Sequence, residues 1–223
     1  MSLLISGDLR LSKSQIIPTV IGEPFGGGYF AGYISHTADG NPTHALIVAP
    51  RATGATGTGY PLTTSLQWKT ANTTTSDTAS DFDGAANTAA MVTAGIDDHP
   101  AAQFCVNLSI GGFTDWYLPA RYELDIAYFN LKPSTAANDT NWGSNVYSVP
   151  RRDSNNTAVF PAQTTLTGFN TSAQSFVAGG HWSSTENSAT NVWDLIFSFG
   201  NQRFIVNKTA TGDRLRAFRR IAL

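Results

Sequence analysis

Apolar and polar residues follow three different rhythms along this chain. Near the N-terminus, Tyr29 to Ile34 and Thr43 to Ala49 are apolar runs of strand length. Asp39-Gly40-Asn41-Pro42 lies between them and favours a tight reversal, so the pair predicts a β-hairpin. In the middle the rhythm becomes helical. Asp83-Gly84 opens an Ala-rich run, Ala85 to Val92, Pro100 leads a second, Ala101 to Leu108, and Lys132-Pro133 stops a third, Ala120 to Leu131. Leu124, Tyr128 and Leu131 recur at helical spacing in the third, and Glu123 sits near its start, where the helix dipole favours an anion. Towards the C-terminus, Trp193, Leu195, Phe197 and Phe199 alternate with Asp194, Ile196 and Ser198. A turn at Gly200-Asn201, a return through Phe204 to Val206 and a last strand from Arg214 to Ile221 complete an expected antiparallel β-meander with one buried face.

Other stretches have no rhythm. Residues 1–22 carry scattered Leu and Ile among Ser, Lys and Gln, and are too short to bury those side chains alone. They read as an N-terminal attachment arm, docked on the main domain or on a neighbouring subunit, with a plain first strand as the alternative. The domain proper is expected over 23–223. Gly54 to Gly59 reads as a loop, because Tyr60-Pro61 and not a helix follows it, as a phosphate cradle would require. Ala71 to Ser80 reads as exposed loop. Ser134 to Gln174 is Asn/Thr/Ser/Gly-rich with isolated aromatics, and is long enough to suggest a binding surface or a packed insert.

Composition sharpens this picture. Charged residues are only 13% of the 223, about half of ordinary usage, with a net charge of −2. Thr, Ser and Asn together number about 60 and supply the polarity instead. The absence of a basic excess argues against nucleic-acid binding through phosphate neutralisation. No apolar run approaches a membrane span, so no membrane insertion is expected. The opening residues lack a basic, then apolar, leader, so no signal peptide is expected.

Candidate chemistry is sparse. Cys105 stands alone, which excludes an internal disulfide, and its helical setting marks it as a small buried residue. His36, His44, His99 and His181 are nowhere three or four apart, so no helix face presents two metal ligands. Ser183-Ser184 lacks a Gly-x-Ser-x-Gly elbow. Asp77, Asp81 and Asp83 with Gly84 form a fragment of an oxygen-ligand loop without EF-hand spacing, and Asp83 reads better as a helix cap. The Asn-x-Ser/Thr strings at Asn72, Asn107, Asn138, Asn155, Asn170 and Asn207 are consequences of composition. No metal or other cofactor is expected.

Two ordered blocks carry a resemblance. The first is Gly111-Gly-Phe-Thr-Asp-Trp-Tyr-Leu-Pro-Ala-Arg-Tyr-Glu-Leu124, and the second is His181-Trp-Ser-Ser-Thr-Glu186, followed by Trp193, Phe197, Gly200, Lys208 and Arg214-Leu-Arg-Ala-Phe-Arg-Arg220. Over residues 80–223 the chain resembles the Lcl C-terminal domain family. That pattern reads D-W-x-L-P-[TS]-x-x-E-L, then [YH]-W-S-S-[TS], then V-R-A-V-R. Ala120, Leu215 and Phe218 depart from it. Ile21 to Tyr33, Ala45 to Pro50 and His99 to Cys105 are similar to phage-encoded members.

The resemblance implies a C-type-lectin-like α+β fold: a few helices, a terminal antiparallel meander and long irregular loops, preceded by the arm and hairpin. Asp115, Trp116, Leu118, Pro119, Glu123, Trp182, Ser183, Ser184, Trp193, Arg216 and Arg219 are then fold-determining rather than catalytic, with Glu123 pairing Arg216 or Arg219. It further implies a non-enzymatic bacteriophage virion protein, a tail fibre or a decoration protein located on the particle. Expected partners are other virion proteins through the arm, a host cell-surface glycan or protein, and further copies of the chain as a homo-oligomer. Ligand contacts are expected from Trp142, Asn145, Tyr147 and Phe169 in the long loop. The alternatives are an enzyme of the formylglycine-generating or iron-dependent type, whose branch of this superfold uses a cysteine pair or clustered histidines, and a bacterial surface adhesin. The nearest string to the Glu-Pro-Asn calcium loop of sugar-binding lectins is Glu23-Pro24-Phe25, whose third residue cannot ligate.

Overall fold

The computed structural model describes residues 17–56 and 65–223. Most of the proposed arm and residues 57–59 of the Gly54–Gly59 loop therefore lie outside the described residues. The strands are β1 (Pro24–Phe25), β2 (Gly28–Ile34), β3 (His44–Val48), β4 (Ser148–Val149), β5 (Gly180–Glu186), β6 (Asn191–Ile196), β7 (Asn201–Asn207) and β8 (Phe218–Ala222). The helices are α1 (Arg51–Gly54), α2 (Gly84–Gly95), α3 (Pro100–Val106) and α4 (Arg121–Leu131). The fold is mixed α+β, with few helices and antiparallel sheets.

The expected hairpin forms: β2 and β3 pair antiparallel, with a register shift between Phe30 and Gly32. β1 flanks β2, and β4 from the long loop pairs with β2 as well. The meander is smaller than expected. β5, β6 and β7 form a three-stranded sheet, but the last strand leaves it. β8 pairs with β3, Val48 opposite Phe218 and His44 opposite Ala222, so the C-terminus closes the N-terminal sheet. Residues 214–217 carry the chain across through single bridges, His181 with Arg214 and Ala55 with Arg216. Residues 17–22 also belong here: Tyr33 donates to the Pro18 carbonyl at 2.7 Å, the Gly22 N–H bonds Phe30, and Ile21 packs on the core.

The helices follow their sequence signals. The Asp83 carboxylate accepts from the Ala86 N–H at 2.8 Å and caps α2. Pro100 occupies the first turn of α3, and α4 ends at Lys132-Pro133. Cys105 is fully buried, and burial pushes its thiol far above the usual range. One apolar cluster joins α4, β2, β3 and the end of β6 around Leu124, Tyr128, Leu195 and Phe197. A second joins α2, α3 and β5 around Trp68, Met91, Trp116, Leu118 and Trp182. Gly200 links meander and helix: its φ is +77°, and a Cβ there would stand 2.4 Å from the Tyr128 ring.

The motif residues Asp115, Trp116, Leu118, Pro119, Glu123, Trp182, Ser183 and Ser184 hold these elements together. Trp116 and Trp182 are core, and their indole N–H groups reach the Phe113 and Leu66 carbonyls at 3.1 and 2.8 Å. The Pro119 carbonyl accepts from the Ser184 N–H at 2.7 Å. The Ser183 hydroxyl donates to the Trp193 carbonyl, and that of Ser184 accepts from the Asn87 amide.

Glu123 has different partners from those expected. Arg219 grips Asp115 instead, at 2.8 and 2.9 Å, and Arg216 donates to the Ala49 and Gln174 carbonyls. The buried Glu123 carboxylate accepts from the Tyr117 hydroxyl at 2.7 Å, the Ala120 N–H at 2.8 Å and the Gly84 N–H at 3.2 Å. Local N–H groups can solvate a buried carboxylate without a cation in contact. Trp193 also departs from expectation. A register shift between Val192 and Asp194 turns it outward and leaves Val192, Asp194 and Leu195 buried.

Burial pushes the Glu123 carboxyl up to about 7, against the pull of its three donors. A proton held more tightly in the folded than in the unfolded chain contributes stability that is complete below about 4.5 and is lost as pH rises through 7. Glu123→Gln removes this component. Urea unfolding between pH 5 and 8 should show wild type losing up to about 3 kcal/mol more than the variant. Parallel curves would refute the assignment.

Candidate functional site

The long segment after α4 is not open coil. Lys132 is buried and directs its ammonium at the Ala136 carbonyl and the Asn138 Oδ1, both at 2.6 Å, and at the Pro161 carbonyl at 3.3 Å. The Asn138 amide in turn donates to the carbonyls of Thr157 and Pro161, and the Tyr128 hydroxyl donates to its Oδ1. The Lys132–Asn138 pair just beyond the end of α4 therefore fixes both arms of the loop. Asp125 does the same further along. Its buried carboxylate accepts from the Asn145 amide at 2.7 Å and from the Arg152 guanidinium. Burial raises its pKa, and Arg152 and Asn145 oppose that.

These anchors leave two features at the surface. The first is a row of rings. Trp142 meets Trp193 edge-on at 5.9 Å, and Trp193 meets Phe204 at 5.3 Å. The Arg121 guanidinium lies 4.1 Å from the Trp193 ring and 4.4 Å from that of Tyr122, pinned by Asp81 at 2.7 and 3.0 Å. Phe204 is 46% exposed and Ile205 69% exposed, on β7, the last strand of its sheet. An exposed ring and a neighbouring exposed Ile, backed by half-buried rings, form an apolar patch suited to contact.

The second feature is a hollow against α4. An apolar cavity of about 140 Å³ is lined by Ile126, Phe129, Asn130, Ser148, Val149, Pro150 and Arg152. It shares Phe129 and Arg152 with a cleft of about 330 Å³ whose wall continues through Gly143, Asn155, Asn156, Thr157 and Phe160. Gly143 follows Trp142 directly, so the ring row and the cleft adjoin along the chain. The Asn156 N–H donates to the Trp142 carbonyl at 2.7 Å, binding the cleft wall to the ring row.

Of the four expected ligand contacts, Trp142 stands in the ring row. Tyr147 is half-buried and stacks on Phe82 at 4.3 Å. Asn145 and Phe169 are corrections. Asn145 is 1% exposed and its amide serves Asp125, while Phe169 is 2% exposed in the core against Tyr29, so neither reaches a ligand. Arg121, Phe129, Arg152, Phe160 and Phe204 escaped sequence reasoning. The only available signal was an aromatic or Arg on a polar face of α4 or beside a turn.

The polar Ala71–Ser80 loop is likewise built around charge and is only partly exposed. Lys69 donates to the Thr73 and Thr74 carbonyls and the Thr75 hydroxyl. Lys208 bonds the Thr73 carbonyl and the Glu186 carboxylate, both at 2.9 Å. Thr75 and Thr78 are buried within this network, where Thr75 contacts the His99 Nε2 at 2.9 Å.

A third cluster gathers titratable groups. His36 and His44 come together across the hairpin, ring centres 4.4 Å apart, beside an Asp83–Arg220 pair at 2.6 Å. Burial, then Arg220 and His44, lowers the His36 pKa to about 4, and burial with Arg220 lowers that of His44. Both are neutral imidazoles at pH 7, set beside a fixed ion pair. His181 is enclosed by Phe176 and Phe197, and burial lowers its pKa to about 3. Asp81 and Asp83 are engaged by Arg121 and Arg220, and Asp77 is exposed apart from them. Among the described residues no three His, Cys, Asp or Glu converge as a metal site, and no helix is long and apolar enough to cross a membrane.

Comparison with known proteins found no matching family model and no matching curated protein.

Asn145→Ala withdraws a donor from a buried carboxylate, so thermal or urea unfolding should show a loss of about 1–3 kcal/mol. Asn155→Ala, on the exposed rim, should stay within about 0.5 kcal/mol of wild type. Equal effects would show that the loop is not hung from Asp125.

Proposed function

We propose that this chain is a non-enzymatic bacteriophage virion protein on a C-type-lectin-like scaffold, and that it recognises a host-surface glycan or protein through the Trp142–Trp193–Phe204 face and the adjoining cleft. The observation that carries this reading is the ring row itself, with Phe204 exposed and Trp142 and Trp193 half-buried beside an Asn/Thr/Ser-rich loop. Flat apolar rings stack on sugar and peptide faces, while flanking amides and hydroxyls supply hydrogen bonds. Two further observations support it. The Asp115-to-Glu123 and His181-to-Ser184 residues, which carry the resemblance to the Lcl C-terminal domain family, are engaged in packing and internal hydrogen bonds. The Ser183 and Ser184 hydroxyls and the Cys105 thiol, the nearest candidates for a nucleophile, are buried. In this reading the N-terminal residues join the chain to other virion proteins, and several copies assemble together.

The test is binding of the purified chain to host cells. Trp142→Ala combined with Phe204→Ala should reduce binding at least tenfold with an unchanged circular dichroism spectrum. Undiminished binding, or absence of the protein from purified particles, would overturn the proposal.

A further inference from the structure

Two residues that line the cleft beside α4 each carry a buried donor with no acceptor. The Arg152 guanidinium is engaged on three sides: Nη2 on Asp125, Nε on the Ser148 hydroxyl at 3.3 Å, and its face on Phe129 at 4.2 Å. Its Nη1 is buried and bonds nothing, and the same is true of the Asn156 Nδ2. An unmet buried donor carries the desolvation cost of that group, so two on one cleft call for an acceptor-bearing ligand. Both residues line the 330 Å³ cleft.

Charge narrows the ligand. The Arg152 cation is already matched by the buried Asp125, and Asp153 at the rim is matched by Arg151 at 2.6 Å. An incoming carboxylate or phosphate would enter as an excess anion beside Asp125, which burial disfavours. A neutral carbonyl oxygen has no such cost. Beyond Arg152 the 140 Å³ cavity is walled by Ile126, Val149 and Pro150, where a small apolar group gains and a hydroxyl loses. Phe160, 57% exposed and edge-on to Phe129 at 5.2 Å, offers a ring to a sugar face at the mouth.

We infer that this cleft binds the acetamido group of an N-acetylated amino sugar. The carbonyl oxygen accepts from Arg152 and Asn156, the methyl enters the cavity against Val149, and the pyranose lies on Phe160. The inference deepens the recognition reading and rests on it for its biological setting, while binding itself is a property of the chain alone.

Saturation-transfer NMR on the full chain, with N-acetylglucosamine, glucosamine and glucose at millimolar concentration, tests it. The acetyl methyl should receive the strongest saturation, and the two unacetylated sugars should bind at least tenfold more weakly. Val149→Phe fills the cavity from a half-buried position and should abolish the methyl signal. Asn156→Asp replaces a donor by an acceptor and should weaken binding about tenfold. Equal signals from the three sugars, no signal from N-acetylglucosamine, or an unaltered signal in a folded Val149→Phe variant would overturn the assignment. Equal binding of N-acetyl-lysine would overturn the sugar as ligand. Acetamide binding without host-cell binding would count against the proposed function alone, and the reverse result against this inference alone.

Discussion

The structure depends on one constraint: irregular backbone laid over a core must find hydrogen bonds, and here buried charges supply them. Long loops lack the ladders that satisfy helices and strands, and an unmet buried carbonyl or N–H is costly. This chain places three lysine ammoniums inside its loops. Lys69 and Lys208 gather the carbonyls around Thr73, and Lys132 gathers those of Ala136 and Pro161. Arg216 does the same for Ala49 and Gln174. The low charge content takes on a different meaning in this light. Nine charged side chains among the described residues are buried, so the few charges present organise the interior, and hydroxyls and amides are left to face water.

Helix α4 is where this constraint becomes a surface. Its inner face carries Leu124, Ala127, Tyr128 and Leu131 into the core, while Glu123 collects the N–H groups of two helix starts and Asp125 holds the loop. Its half-buried positions, Arg121, Tyr122, Phe129 and Asn130, are left to line what the loop encloses. The ring row and the cleft thus share one rigid support. Asp115 and Arg219 brace the other side, tying the turn before α4 to β8 and hence to the N-terminal sheet.

Local signals were legible in the sequence, and long-range partners were not. Asp83, Pro100 and Pro133 mark helix ends because caps and proline act through their immediate neighbours. The hairpin and the buried Cys105 followed from periodicity. Trp193 misled because alternation assumes a constant register, and the shift before Asp194 breaks it. Glu123 misled because a buried acid suggests a cation, whereas backbone N–H groups, invisible in sequence, solvate it. Asn145 and Phe169 show the same limit. A polar loop residue can face a ligand or a buried carboxylate, and only the placement of Asp125 decides between them. The destination of β8, across the molecule from the meander, has no sequence signal at all.

The central claim is that residues 134–163 form a fixed surface suspended from Lys132, Asn138 and Asp125. Amide hydrogen exchange on the intact protein tests it most directly. Asn138, Asn145, Arg152 and Asn156, whose N–H groups bond loop carbonyls, should exchange at least a hundredfold slower than an unstructured peptide, approaching the amides of α4. Exchange of those four amides at the unstructured rate would contradict the account.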